Sequence, residues 1–336
     1  MPGNTKFVRT ENAMSPIGDV LRLDPRLDAL VDSDAQVEKI LKDQAAFFEG
    51  PVWVQTPSGG HLIFTDIASD AILALDCRTG LRIIADSFFD SSPASCVREI
   101  DLGSRRVQLK GPNGLALDRQ GRILYCGYGP RHVGRLEPDG RRTVLAESFE
   151  GRRLNTPNDL VVRSDGTVYF TDSSAEMREP KDGRYRGVAT SAVYRIAQGG
   201  LQMLHGDFDA ANGLVFSPDE RYLYVNDTRR KLIWRFDAGR DGPLGRRDLF
   251  ADMNSDASPG VPDGMKVDMH GNVYCTGPRG LWVIAPDGTH LGVIQTRERL
   301  TNLAFGGAEG DTLYMTGPSY LWRIQLKVRG ASLSGP

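Results

Sequence analysis

Six acidic or amide side chains recur at the start of one repeated pattern in this chain: Glu49, Asn113, Asn158, Asn212, Asp263 and Asn302. They offer carboxylate and amide oxygens, with no thiolate or imidazole among them, which is the donor set of a hard divalent cation such as calcium, magnesium or manganese. Glu49 lies in FFEGPVW, between two phenylalanines and a Gly-Pro turn that leads to Trp53. A carboxylate is costly in such apolar company, because a buried charge either changes its protonation or finds a cation. Taken singly, each residue has a plainer use as a solvated loop acid, an Asx turn or a strand-end cap. Taken in register, Glu49, Asn158, Asn212 and Asp263 read as a cation site whose two carboxylates neutralise the charge.

The frame that aligns them is a repeat. GPNGLALDRQGRILYCGY (111–128), TPNDLVVRSDGTVYFTDS (156–173), AANGLVFSPDERYLYVND (210–227), VPDGMKVDMHGNVYCTGP (261–278) and LTNLAFGGAEGDTLYMTG (300–317) share one template. Each reads as Asn or Asp, an apolar strand, a polar turn and a second strand with a central Tyr, and a third run follows, such as SAVYRIAQGG or GLWVIAPDG. Residues 49–86, EGPVW through LRIIAD, make one more unit. A period of roughly 40 to 50 residues with tight turns between short strands is that of a four-stranded propeller blade. In a closed ring the segment before Glu49 completes the last blade and removes its exposed edge.

The expected architecture is therefore all-β. It is a six-bladed β-propeller of four-stranded antiparallel blades around a central metal-binding channel, with residues 1–40 as an N-terminal extension, 41–328 as the propeller and 329–336 as a C-terminal tail. Helical periodicity is confined to residues 27–43, LDALVDSDAQVEKILKD, where a short helix is expected.

Bulk properties exclude several function classes. The 336 residues carry a net charge of −2, which favours neither nucleic acid nor an anionic membrane surface as partner. No run of eighteen apolar residues occurs and the N-terminus lacks the apolar core of a secretory signal, so a cytoplasmic location is the expectation; a homo-oligomer is left open. Cys77, Cys96, Cys126 and Cys275 are widely spaced without a C-x-x-C, and read as small buried side chains. Ser173 and Ser174 lack a G-x-S-x-G elbow, and none of the five histidines stands near a template start. Trp234, Trp282 and Trp322 lie in third-strand runs and are expected to pack blade against blade. Tyr128 and Tyr185 are candidates for a pocket rim, Tyr185 within the insertion MREPKDGRYRGVAT (177–190) that is expected over one face.

EGPVW, LNTPNDLVV followed by GTVYFTD, ANGLVFSPDERYLYVND and PDGMKVD together resemble the propeller lactonases of the senescence marker protein, gluconolactonase and luciferin-regenerating enzyme group, over about residues 45–326. That group is related in fold to diisopropylfluorophosphatase and paraoxonase. The resemblance implies that Glu49 and Asn212 bind metal, that Asn158 binds metal or substrate, and that Asp263 binds metal and serves as the base. It implies one divalent cation, calcium first, with manganese, magnesium or zinc as alternatives, and a small lactone or ester as substrate. Attack by water on the polarised carbonyl would be assisted by Asp263, or by Asp159 or Asp172 nearby; Asn113, Tyr128, Asp172, Tyr185 and Asn302 are the substrate-side candidates.

Three departures from the sugar-lactonase pattern weigh against gluconolactone itself. Thr156 replaces an arginine, Gly127 and Tyr128 fall in CGYG where C-E-H-G is common, and TDSSAE stands where T-D-P-P-Y-G is common. Other readings are an organophosphate or aryl-ester hydrolase on the same centre and a non-enzymatic ligand-binding propeller. A strictosidine-synthase-like propeller shares the VYFTDSS run at 168–174 but not the metal set.

Overall fold

Each blade begins with its innermost strand, and the chain repeats one antiparallel plan outward from there. The computed structural model describes residues 19–43, 46–57, 59–76, 78–92, 94–174, 187–239 and 243–331. Five four-stranded sheets and one five-stranded sheet form the blades, and two short hairpins stand apart from them. The inner strands are Phe48–Val54, Pro112–Leu117, Thr156–Val162, Ala211–Phe216, Met265–Val267 and Asn302–Gly306. Consecutive inner strands pack side by side, and the sixth packs against the first, so the ring is closed.

Closure uses the N-terminal part of the chain. Glu38–Lys42 pairs antiparallel with Tyr320–Gln325, Lys39 opposite Trp322 and Lys42 opposite Tyr320, and becomes the outermost strand of blade 6. Val20–Arg22 adds a fifth strand to blade 5 by pairing with His290–Gln295. The helix expected over 27–43 is therefore corrected: a 3-10 turn at Pro25–Ala29, capped by Asp24, is followed by a strand at Glu38–Lys42. Asp32, Ser33 and Asp34 break the helical run with turn formers, and the unpaired edge of Tyr320–Gln325 offers a ladder that outweighs the weak helical preference. The boundary expected at residue 40 accordingly falls inside a blade strand. At the other end Gly330 bridges Asp268 and Ala331 N donates to Val267 O, so the expected tail begins against the inner strand of blade 5.

The core lies between blades. Phe48, Phe64 and Leu73 of blade 1 pack with Ala304, Tyr314 and Leu321 of blade 6, and Trp53 stacks on Tyr314 with centroids 5.5 Å apart across the same seam. Trp282 and Trp322 are buried as expected, whereas Trp234 is half-buried beneath Arg247.

Because strands alternate in direction, the starts of all inner strands share one face with the loops between second and third strands. The hairpins Arg98–Asp101 with Arg106–Leu109 and Ser148–Phe149 with Arg152–Arg153 stand on that face, in the connections between blades. Ser174 and Gly187 flank the insertion there; residues 175–186, Tyr185 among them, lie outside the described residues.

Candidate active site

In blades 1, 3 and 4 the polar residue at the start of the inner strand sits at a break in the ladder, whereas Asn302 of blade 6 pairs in register with Thr316. Register shifts fall between Glu49 and Val52, between Pro157 and Leu160, and between Ala211 and Leu214. A bulge of this kind turns a side chain out of the sheet. The next position is glycine in four blades, because the neighbouring inner strand occupies the space a side chain would need. A Cβ on Gly50 would lie 2.4 Å from Asn113 O, on Gly114 2.5 Å from Asp159 Oδ1, and on Gly213 2.1 Å from Asp263 O. Gly50 also has φ +49, in the left-handed region. Blade 3 departs from this rule: Asp159 takes the glycine position and puts a third carboxylate at the axis.

Side-chain hydrogen bonds lock four of the inner strands to the preceding blade. Thr65 Oγ1 donates to Asn113 O at 3.0 Å, Thr171 Oγ1 to Asn212 O at 2.6 Å, Asn226 Nδ2 to Asp263 O at 2.5 Å and Thr301 Oγ1 to Phe48 O at 2.7 Å. The backbone positions that carry the site residues are thus fixed from outside the channel.

Glu49, Asp159 and Asp263 come together and repel one another. Burial raises the Glu49 pKa well above the usual carboxylate range, and the Asp263 and Asp159 charges raise it further, against donors from Gly50 N and Asn302. Burial pushes Asp263 up to about 6, opposed by Arg299 and by a hydrogen bond from Asn212. Asp159 is raised by burial, opposed first by the Lys266 charge. Asn302 Nδ2 donates to Glu49 Oε2 at 2.9 Å and to Asp159 Oδ2 at 3.3 Å, and Arg299 Nη2 lies 3.1 Å from Asp263 Oδ2. Arg299 and Lys266 are the cations that act on these three carboxylates among the described residues, which leaves an excess of negative charge.

The remaining candidates separate. Asn158 and Asn212 are half-buried at the channel mouth, while Asn113 is buried and its Oδ1 has no hydrogen-bond partner among the described residues. Asp172 is fully buried, with Oδ2 accepting from Asn155 N at 2.8 Å and Asn155 Nδ2 at 3.1 Å. Asp66 and Asp227, its counterparts in blades 1 and 4, likewise accept from Phe47 N and from Ala210 N, so this position anchors the loop that enters the inner strand. Tyr128 is buried with Phe47, Ile67, Val107 and Leu109 and does not stand on an open rim. Ser174 Oγ meets Ser191 Oγ at 3.0 Å, with no histidine in the pair. Cys96, Cys126 and Cys275 are buried, and burial pushes the Cys126 thiol up. His290 is half-buried and stacked on Trp282. Arg299 and Lys266 escaped the reading of the sequence because neither occupies a template start; only the PND in place of NG or DG marks Asp159.

The sequence profile described as "SMP-30/Gluconolactonase/LRE-like region" matches residues 47–318. The chain belongs to this family. Among its relatives, a gluconolactonase of Zymomonas mobilis is 30% identical over 338 residues, covering 98% of this chain and 92% of that protein. The solved structure of a gluconolactonase from Xanthomonas campestris has a TM-score of 0.77 and 32% identity, covering 95% of this chain and 99% of the other. A regucalcin from Agrobacterium tumefaciens, described as a calcium-binding protein, shares the fold at 18% identity with a TM-score of 0.62, covering 89% of this chain and 98% of the other. Among the described residues of this family member, no three His, Cys, Asp or Glu side chains cluster with metal-binding geometry. The candidate set instead combines two carboxylates with amide oxygens. No helix among the described residues is long and apolar enough to cross a membrane.

Proposed function

We propose that this protein is a lactonase that depends on one divalent cation, calcium first, and opens a sugar-type or more hydrophobic lactone. Membership of the family and its gluconolactonase relatives support lactone hydrolysis. The observation that carries the site is the approach of Glu49 and Asp263 from different blades, both buried and both with pKa values raised by burial. Buried carboxylates without a matching cation are costly, and the oxygen-only donor set of Glu49, Asn158, Asn212 and Asp263 suits a hard divalent ion.

A divalent cation bound there supplies Lewis-acid polarisation of the lactone carbonyl. The chain's own residues do the rest. Asp263 receives the proton of the attacking water, and Arg299 at 3.1 Å from Oδ2 together with the hydrogen bond from Asn212 holds its carboxylate in place. Asn302 holds the Glu49 carboxylate in one orientation, and Asn113 offers its unsatisfied Oδ1 to a substrate hydroxyl or an ordered water. Asp159 supports the site through Asn302 and Lys266, and Asp172 anchors Asn155 outside the channel. Chelator-stripped protein assayed on a panel of aldonic and hydrophobic lactones, before and after calcium, manganese, magnesium or zinc is restored, tests this reading; full activity in the stripped protein contradicts it.

A further inference from the structure

The channel has a second chamber that the proposed chemistry does not use. A cavity of about 490 Å³ opens on the face opposite the carboxylates, lined by the later halves of the inner strands, with Trp53, Leu115, Val161, Val215 and Phe305 among its walls. None of Glu49, Asn113, Asn158, Asn212, Asp263 or Asn302 lines it. A chamber of this size, largely apolar and holding a few polar groups, has the form of a small-molecule site.

Its charge is one-sided. Lys266 lines the chamber and is half-buried; its Nζ donates to Met265 O at 3.2 Å and has no carboxylate within ion-pair distance among the described residues. Arg119 stands exposed at the lining without an ion pair among the described residues. The other charges there are already engaged. Arg163 meets Glu220 at 3.3 Å, and Asp118, the one acidic residue of the lining, is held by Arg122 at 2.7 Å.

We propose that this lower chamber binds an amphipathic monoanion, a medium-chain aliphatic carboxylate, with its head group on Lys266 and its chain along the apolar walls. The chamber holds none of the candidate ligands and the proposal does not depend on the lactonase reading, although Lys266 also sets its charge against Asp159 at the axis. Lys266 is chosen as the head-group partner because its half-buried ammonium acts on Asp159 only at a distance and makes no direct ion pair among the described residues, so that an incoming carboxylate can meet it directly.

Trp53 is the sole tryptophan of the lining and reports occupancy by its fluorescence. Titration of the full chain with sodium decanoate below its micellar range is expected to give a saturable change in emission that W53F abolishes, while decanol at equal concentration binds at least about tenfold more weakly. K266M is expected to weaken decanoate about tenfold and K266R to retain it. Circular dichroism and the thermal midpoint check that each variant is folded. Absence of a saturable response, equal binding of decanol and decanoate, or undiminished binding in folded K266M overturns the proposal. The decanol comparison uses the unaltered protein and decides the matter even where K266M does not fold.

Discussion

Asn302 Nδ2 donates to Glu49 Oε2 at 2.9 Å across the seam between the last blade and the first, and the same amide reaches Asp159 Oδ2 at 3.3 Å. One side chain thus joins two of the three axial carboxylates, while its Oδ1 is occupied by Leu303 N. Asn302 is thereby a positioning residue for Glu49 and not a group turned toward substrate. N302A is expected to lower calcium affinity about 10- to 100-fold, the usual effect of removing a partner that orients a ligand. Isothermal titration with calcium measures it, and unchanged affinity contradicts the assignment.

Asp159 stands where four other blades have glycine, and burial raises its pKa against the Lys266 charge and the bonds from Leu160 N and Asn302. Removing that charge relieves repulsion on Glu49 in the cation-free protein. D159N is therefore expected to raise the thermal midpoint of chelator-treated protein, by the equivalent of about 1 to 3 kcal/mol. Differential scanning calorimetry in chelator checks the sign; a lower midpoint shows that the bond from Asn302 and the Lys266 charge outweigh the repulsion.

The pH dependence follows from the sign of these shifts. Asp263 is pushed from 3.8 up to about 6, so the folded state binds its proton more tightly than the unfolded state does. Its contribution to stability is fully present below the unfolded value and is lost as pH rises from about 4 through about 6. In chelator, wild-type stability should fall relative to D263N across that window. Added calcium competes with those protons, so the calcium-induced rise in midpoint should be larger at pH 7 than at pH 5. Thermal melts of both proteins over this range, with and without calcium, provide the measurement, and a larger calcium effect at pH 5 runs against it.

Gly50 sets the position of Glu49. A methyl group there would meet Asn113 O at 2.4 Å, and φ is +49. G50A is expected to cost about 2 kcal/mol or more, since a backbone contact cannot give way and the conformation is strained. G199A, where only Gln202 Nε2 comes within 4 Å, at 3.9 Å, should change stability by about 0.5 kcal/mol or less. Urea midpoints of the two variants decide whether the close approach at Gly50 carries the site.

Much of this was legible in the chain. The repeat from GPNGLALD to LTNLAFGG carried blade number and strand order because strand alternation and turn residues are local properties of sequence. The residues at the template starts carried the candidate ligands because radial symmetry makes equal positions converge. Residues 38–42 were misread as helix because their structure depends on a partner nearly 300 positions away, the edge of Tyr320–Gln325, which no local pattern records. Arg299 and Lys266 stayed hidden for a related reason: each acts on a carboxylate, Asp263 or Asp159, brought close only by the ring. Asp172 drew attention as a carboxylate in VYFTDSS, yet Asp66 and Asp227 repeat its anchoring role, and that comparison needed the hydrogen bonds.

The central claim, a lactone-opening centre held by Glu49 and Asp263 around a divalent cation, is tested most directly by calcium binding and lactone hydrolysis measured side by side in wild type, E49Q and D263N. Each variant keeps the size of its side chain and removes one charge. The expected result is calcium-dependent lactone hydrolysis in the wild type, with both calcium affinity and turnover reduced at least about 100-fold in each variant. Variants that are folded and hydrolyse every lactone as fast as the wild type contradict the claim.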